Sequence, residues 1–310
     1  MRPASPVTPP DSGARLHEVA DGVFAYVQPD GGWCLNNAGL IVGGRECALV
    51  DTAATEARAL ALREAIGQVS STAPRYLVNT HPHGDHTFGN RFFAADAVII
   101  SHEATRSEMD AAGLHLTGLW PDVAWGAVGV QLPMITFPDR MTLHVGGIHV
   151  ELLHLGVAHT TNDTVVWLPE QRVLFTGDVA MSGVAPFCLT GSISGSIAVL
   201  ELLRDLDPAV VVTGHGPISG PQVLDETAGY LRRVQRLAAE GMKAGQSPLE
   251  AARSADLGVY SDLLDGERLV PNLHRAYSEL LGDAPGHSLD VETLFEEMVE
   301  FHGRLPRCQA

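Results

Sequence analysis

"NTHPHGDHTFGN", residues 79–90, places His81, His83, Asp85 and His86 within six positions, spaced by Pro82 and Gly84. Four titratable side chains this close together are costly to arrange unless something binds them. Neutral imidazole is the commonest protein ligand for zinc, and a carboxylate is a good second choice. His81 and His83 stand two apart where the chain leaves the apolar run "RYLVNT", so as strand-end residues they project the same way. Pro82 stiffens the turn and Gly84 permits a sharp redirection, after which Asp85 and His86 face a second position. One strand end thus begins two adjacent metal sites.

Two metals need more ligands, and later strand ends supply them. His159 lies in "GVAHTTND", Asp178 closes "VLFTGD", and His215 sits in "VVVTGHG"; each follows an apolar run and has a glycine nearby. A lone histidine after a strand is usually a surface or satisfied core residue. Three such elements following the histidine cluster in order read instead as one set. The expected assignment is His81, His83 and His159 on one metal, and Asp85, His86 and His215 on the other, with Asp178 bridging. Ligand histidines need acceptors that fix their tautomers; Asp51 in "LVDT" and Asp163 are the candidates, each with a strand-end cap or turn as the plainer role.

Composition limits what the rest can be. Hydrophobic residues make up 45% of the 310, charged residues 18%, and mean hydropathy is +0.08, the profile of an ordinary globular chain. The formal net charge of -17 argues against nucleic acid or an anionic membrane as a general partner, since both demand a positive surface. No apolar stretch approaches the ~20 residues needed to span a bilayer. Cys34, Cys47, Cys188 and Cys308 are scattered without a framework spacing and read as reduced thiols of a cytoplasmic protein. The proline-rich opening, residues 1–15, reads as a disordered lead-in.

Along the chain, "GVFAYVQ", "NAGLIVG", "CALVDT", "RYLVNT" and "AVII" read as strands, with "ATEARALALREAIGQV" and "HEATRSEMDAAG" as helices between them. Residues 114–140 hold two tryptophans and three prolines with no clear period, a long irregular stretch of the kind that is usually functional. Strand patterns resume with "MTLHV", "IHVELLHL", "TVVWLP", "RVLFTGD" and "AVVVTGHG", interrupted by a helix near 195–206. From Pro221 the pattern is helical. The expected organisation is an α/β body over 16–220 and a helical extension over 221–310 packed on it.

"THPHGDH", "AHTTND", "LFTGD" and "TGHG" together resemble the metallo-β-lactamase superfamily, over roughly residues 16–220. The resemblance implies an αββα sandwich with a hydrolytic dinuclear zinc site at one edge. The presence of Asp178 is closer to the glyoxalase II, lactonase and thioesterase branches than to true β-lactamases. "GGWCLNNAGLIVGG", "GLWPDVAWG", "GDVAMSGVAPF" and "LVPNLHRAYSELLG" are similar to the actinorhodin-type bicyclase/thioesterase family of aromatic polyketide biosynthesis, which extends the resemblance to nearly the whole chain. On that reading the substrate is a polyketide thioester on an acyl carrier protein, and Asp85 is the catalytic carboxylate that holds the attacking water and accepts its proton. Trp33, Trp120, Trp125 and Phe187 would wall a flat aromatic product, with core packing as their plainer role. Carrier proteins are typically acidic, so docking needs a local positive patch; Arg232 and Arg236 in "LRRVQR" are i,i+4 on one helix face. Competing readings are a general lactonase or glyoxalase II-like thioesterase, an iron-dependent sulfur oxygenase that would leave Asp85 and His86 unused, and a non-catalytic metal-binding module.

Overall fold

A computed structural model describes residues 13–310; the expected lead-in lies outside the described residues up to position 12, and a strand begins at Arg15. The first half of the chain builds β1 (Arg15–Ala20), β2 (Val23–Val27), β3 (Ala38–Gly43), β4 (Glu46–Val50), α1 (Glu56–Val69), β5 (Tyr76–Val78), α2 (Gly84–Thr87), β6 (Val98–His102), α3 (Glu103–Ala112), α4 (His115–Leu119) and β7 (Ile135–Phe137). The second half builds β8 (Arg140–Val145), β9 (Ile148–Leu153), β10 (Val165–Leu168), β11 (Val173–Met181), α5 (Ile193–Asp205), β12 (Val210–His215), α6 (Gln222–Lys243), α7 (Pro248–Ser254), α8 (Leu269–Leu281) and α9 (Val291–His302). Strands β1 to β7 form one sheet in chain order, and the other runs β12-β11-β10-β9-β8.

The two-residue period of a strand decides how these sheets stack. In β4, Ala48 and Val50 face one core while Cys47 and Leu49 face another, and Val78 with Leu77 and Ile100 with Ile99 divide the same way. Val166 and Leu168 of β10, Phe175 of β11 and Val212 of β12 meet the first set, so the two sheets pack face to face. Leu62 and Ile66 of α1 cover the outer face of the first sheet. Val199 and Leu203 of α5, Leu231 and Val234 of α6, and Leu269 and Leu273 of α8 cover Val165, Trp167 and Leu174 on the outer face of the second. The result is the helix–sheet–sheet–helix arrangement of an αββα sandwich, and the C-terminal helices continue the core of its second half.

Local chemistry sets the element ends. Thr55 caps α1 by accepting from the Arg58 amide, Ser192 caps α5 by accepting from Gly195, and Ser247 with Glu250 forms a capping box on α7. The stretch expected to be irregular, 114–140, holds α4 and β7. In it Trp120 and Trp125 are 4% and 9% exposed, as their apolar surroundings require.

Candidate metal centre and the cavity beside it

His81, His83, Asp85 and His86 follow β5 through a turn into α2; His159 sits in the β9–β10 connection, Asp178 in β11 and His215 at the end of β12. The sandwich brings all seven to one edge. They form two groups, His81, His83, His159 and Asp178, and Asp85, His86 and His215, with one ligand atom per residue lying within 4.8 Å of the others in its group. Asp178 lies between them: Oδ2 is 3.6 Å from His159 Nε2 and 3.4 Å from His215 Nε2, and Oδ1 is 3.1 Å from His86 Nε2. Asp85 Oδ2 is 3.4 Å from His215 Nε2.

The imidazoles are oriented from behind. Asp51 accepts from His86 Nδ1 at 2.8 Å, from the Thr80 amide at 2.8 Å and from Thr80 Oγ1 at 2.6 Å. The Thr80 hydroxyl hydrogen is therefore spent on Asp51, so its oxygen accepts from His81 Nδ1, 2.9 Å away. His215 Nδ1 donates to Gly31 O at 3.0 Å, and His159 Nδ1 donates to Phe187 O. Four rings thus carry a hydrogen on Nδ1 and turn Nε2 inward to the cluster, where that of His159 also lies 2.9 Å from His83 Nδ1. Asp51 holds a left-handed backbone (φ 58), which an aspartate tolerates better than most residues. Asp163 is not one of these acceptors: its carboxylate takes the Thr160 amide and hydroxyl at 2.8 and 2.9 Å, closing the turn behind His159.

Donor chemistry tests whether a cation fits. Nε2 of His81, Nε2 of His86 and Oδ1 of Asp178 are buried with no hydrogen-bond partner. Burial, with His86 next, pushes His81 well down, and burial above all pushes His159 to about 3, so both rings are neutral electron-pair donors. Burial, the largest influence on Asp85, would raise its carboxyl, but His86 and His215 bring it down to about 2. Burial would also lower His215, yet Asp178 and Asp85 outweigh it and lift that ring to about 9. Converging lone pairs and carboxylates that draw positive charge to themselves suit divalent cations.

A cavity of about 290 Å³ opens beside this cluster, lined by Asp85, His159, Asp178 and His215 and by Trp33, Phe88, Trp120, Phe187 and Phe295. Trp33 lies 5.5 Å from Trp120 and 5.4 Å from Phe187, centroid to centroid. Trp125, expected in this wall, is not among its lining residues: it packs behind against Phe88, 6.1 Å away, and donates from Nε1 to Trp120 O. Sequence reading missed Phe88, Phe295 and the buried Arg268. Phe88 directly follows the histidine motif, a signal that was available. The other two lie beyond residue 220, where helical periodicity, the docking arginines and the stretch 269–282 were read, none of which singles them out. Arg232 and Arg236 do not form a bare positive patch, because Arg232 Nη2 is 2.6 Å from Glu201; Arg236 is exposed.

Two face-packed sheets clothed in helices, with an oxygen- and nitrogen-rich cluster suited to cations at one edge, define an αββα sandwich with a candidate metal centre. The family model of the metallo-beta-lactamase superfamily matches residues 31–215, and the chain belongs to that superfamily, whose members are metal-dependent hydrolases. The chain is 24% identical over 223 residues to the metallo-beta-lactamase type 2 of Bacteroides fragilis, covering 68% of this chain and 83% of that one. It is 29% identical over 257 residues to the hydroxyacylglutathione hydrolase of Anaeromyxobacter dehalogenans, covering 80% and 82%. It is 28% identical over 208 residues to the 2,4-dinitroanisole O-demethylase subunit alpha of a Nocardioides species, covering 65% of this chain and 55% of the relative. The solved metallo-beta-lactamase from Pontibacter korlensis superposes with a TM-score of 0.58 at 19% identity over 71% of this chain, a likeness of fold. Helices α6 to α9 lie outside the matched family region. Among the described residues no helix is long and apolar enough to cross a membrane.

Proposed function

We propose that the chain is a dinuclear zinc hydrolase that closes rings of a carrier-bound aromatic polyketide and hydrolyses its thioester. The observation that supports this reading is that Trp33, Trp120, Phe187 and Phe295 line the same cavity as residues of the His/Asp cluster. His81, His83 and His159 would hold one cation, Asp85, His86 and His215 the other, with Asp178 shared. Such a pair, when bound, supplies an activated water at neutral pH and polarises the carbonyl under attack.

The protein's own groups do the rest. Asp51, Thr80, Phe187 O and Gly31 O fix the imidazole tautomers, so that no ligand ring has to reorient during a turnover. Asp85 lines the cavity, and its carboxylate would accept a proton from the attacking water. The flat walls fold a flexible polyketone into one geometry, and positioning of this kind supplies much of the rate of an intramolecular aldol closure. Replacing Asp85 by Asn should cut hydrolysis by about 100- to 10,000-fold while leaving the circular dichroism spectrum intact; full activity would overturn the assignment.

A glyoxalase II-like or lactonase activity is the second reading, favoured by the hydroxyacylglutathione hydrolase relative. Turnover of lactoylglutathione or acyl lactones, with none on aryl polyketide thioesters, would select it. An iron-dependent sulfur oxygenase would use one cation and leave Asp85 and His86 without a role beside His215. Native metal analysis giving about one iron per chain, in place of about two zincs, would select that reading. Docking of an acidic carrier falls to Arg236 together with Arg232. Reversing both charges should raise KM for the carrier-bound substrate and not for a small thioester; an unchanged KM would remove them from the docking surface. The cysteines are free, which suits a reducing cytoplasm.

A further inference from the structure

Among the described residues Arg268 is the one arginine or lysine lining the cavity, and it is 2% exposed. It closes the short 3₁₀ turn Gly266–Arg268, after Asp265 in a left-handed backbone (φ 56) and before α8. Its guanidinium carbon lies 4.1 Å from the Trp33 ring centroid and 6.0 Å from that of Phe187. Nη1 donates to Ala185 O at 3.1 Å and approaches Met181 Sδ at 3.2 Å, and Nη2 is 2.8 Å from Asp265 Oδ2. Glu267, the preceding residue, accepts from Trp33 Nε1 at 2.7 Å. Met181 stands opposite His215 in the β11–β12 register, so this turn is docked against the strand end that carries a candidate metal ligand.

The arginine is held on three sides but not fully used. Nε is buried and has no hydrogen-bond partner among the described residues. A guanidinium keeps its charge when buried, and its rigid fork recognises planar anionic groups edge-on. A buried N–H left without an acceptor is unfavourable, and Arg268 is among the residues that line the cavity. A flat ligand lying against Trp33 would bring an edge oxygen within reach of the guanidinium, and a charged oxygen makes the stronger bond.

We propose that Arg268 is the anion-recognising residue of the cavity, taking an ionised oxygen at the edge of a planar aromatic or enolised β-dicarbonyl ligand that stacks along Trp33. The ring system it invokes rests on the polyketide reading above, so the test uses binding alone. The probes are 3-hydroxy-2-naphthoate and its neutral counterpart methyl 3-methoxy-2-naphthoate, titrated into the metal-loaded enzyme and followed by tryptophan fluorescence. The proteins are wild type, Arg268→Gln, and Arg268→Met combined with Asp265→Asn. The paired change removes both charges together, so no buried carboxylate is stranded, and asparagine tolerates the left-handed backbone at 265. The wild type should favour the acidic probe by about tenfold or more in Kd, and the preference should fall by about fivefold or more in both variants. Any preference for the acid that survives belongs to the cations. A wild-type preference below about tenfold, or a fall in the double variant smaller than about fivefold, overturns the assignment. Hydrolysis of neutral aryl thioesters by the wild type reports on the proposed reaction and plays no part in the ratio, so the two readings fail separately.

Discussion

Thr80 occupies the position on which two imidazoles depend. Its hydroxyl gives its hydrogen to Asp51 and receives one from His81, while Asp51 receives another from His86. One carboxylate therefore sets two tautomers, directly and through a single oxygen. Replacing Asp51 by Ala should weaken metal affinity by about 10- to 100-fold, measured by competition with a chromogenic chelator, because both rings become free to rotate or change tautomer. Affinity equal to wild type would mean that His81 and His86 do not take part in holding metal. At this scale the seven side chains were legible because imidazoles and carboxylates at strand ends carry their chemistry in their identity. Asp51 was legible for the same reason. The carbonyls of Gly31 and Phe187 were not, since a backbone acceptor looks alike at every residue and only tertiary folding selects one.

Within the strands, glycines next to the candidate ligands have a steric cause. A Cβ on Gly214 would fall 1.9 Å from Asp178 Oδ1, and one on Gly177 would fall 2.7 Å from Thr80 Oγ1, in a backbone with φ 51. Gly177 also marks a register shift between β11 and β12, which turns Asp178 toward the edge of the sandwich. Gly177→Ala should destabilise the fold by more than about 1 kcal/mol and lower metal affinity too, because Thr80 must move to admit the methyl group. Thermal unfolding with and without added zinc reads both effects; a stability loss with unchanged affinity would uncouple Thr80 from the site. Period-two apolar runs made the strands readable, since they differ in kind from helical ones, while their stacking as a sandwich was implied by the family resemblance alone. β1 and β7 escaped notice for want of that signal, being half exposed at the margins of their sheet.

Over the whole molecule, the cavity is finished by residues far from the ligands in sequence. Trp120 Nε1 donates to Pro306 O at 2.7 Å, Arg58 Nη2 donates to Gln309 O at 2.5 Å, and Gln309 Nε2 reaches Asp30 at 3.2 Å. Phe295 of α9 packs edge-on against Trp120, 5.7 Å away. Deleting residues 304–310 should raise KM for bulky aryl thioesters while leaving metal content as it was, because the wall loses its backing and the cluster does not; metal analysis alongside kinetics checks this. Helical periodicity after Pro221 disclosed the presence of these elements. It could not disclose that they would roof the cavity, because a period identifies an apolar face without naming what that face meets.

That roofing fixes an order of events as the chain is made. Every imidazole and carboxylate of the cluster is synthesised well before Phe295 and Pro306, so the nascent chain holds the whole candidate ligand set while its aromatic chamber still lacks a roof. The candidate ligands and the roof of the chamber thus enter the chain in sequence, and a ribosome stalled between them would display the first without the second.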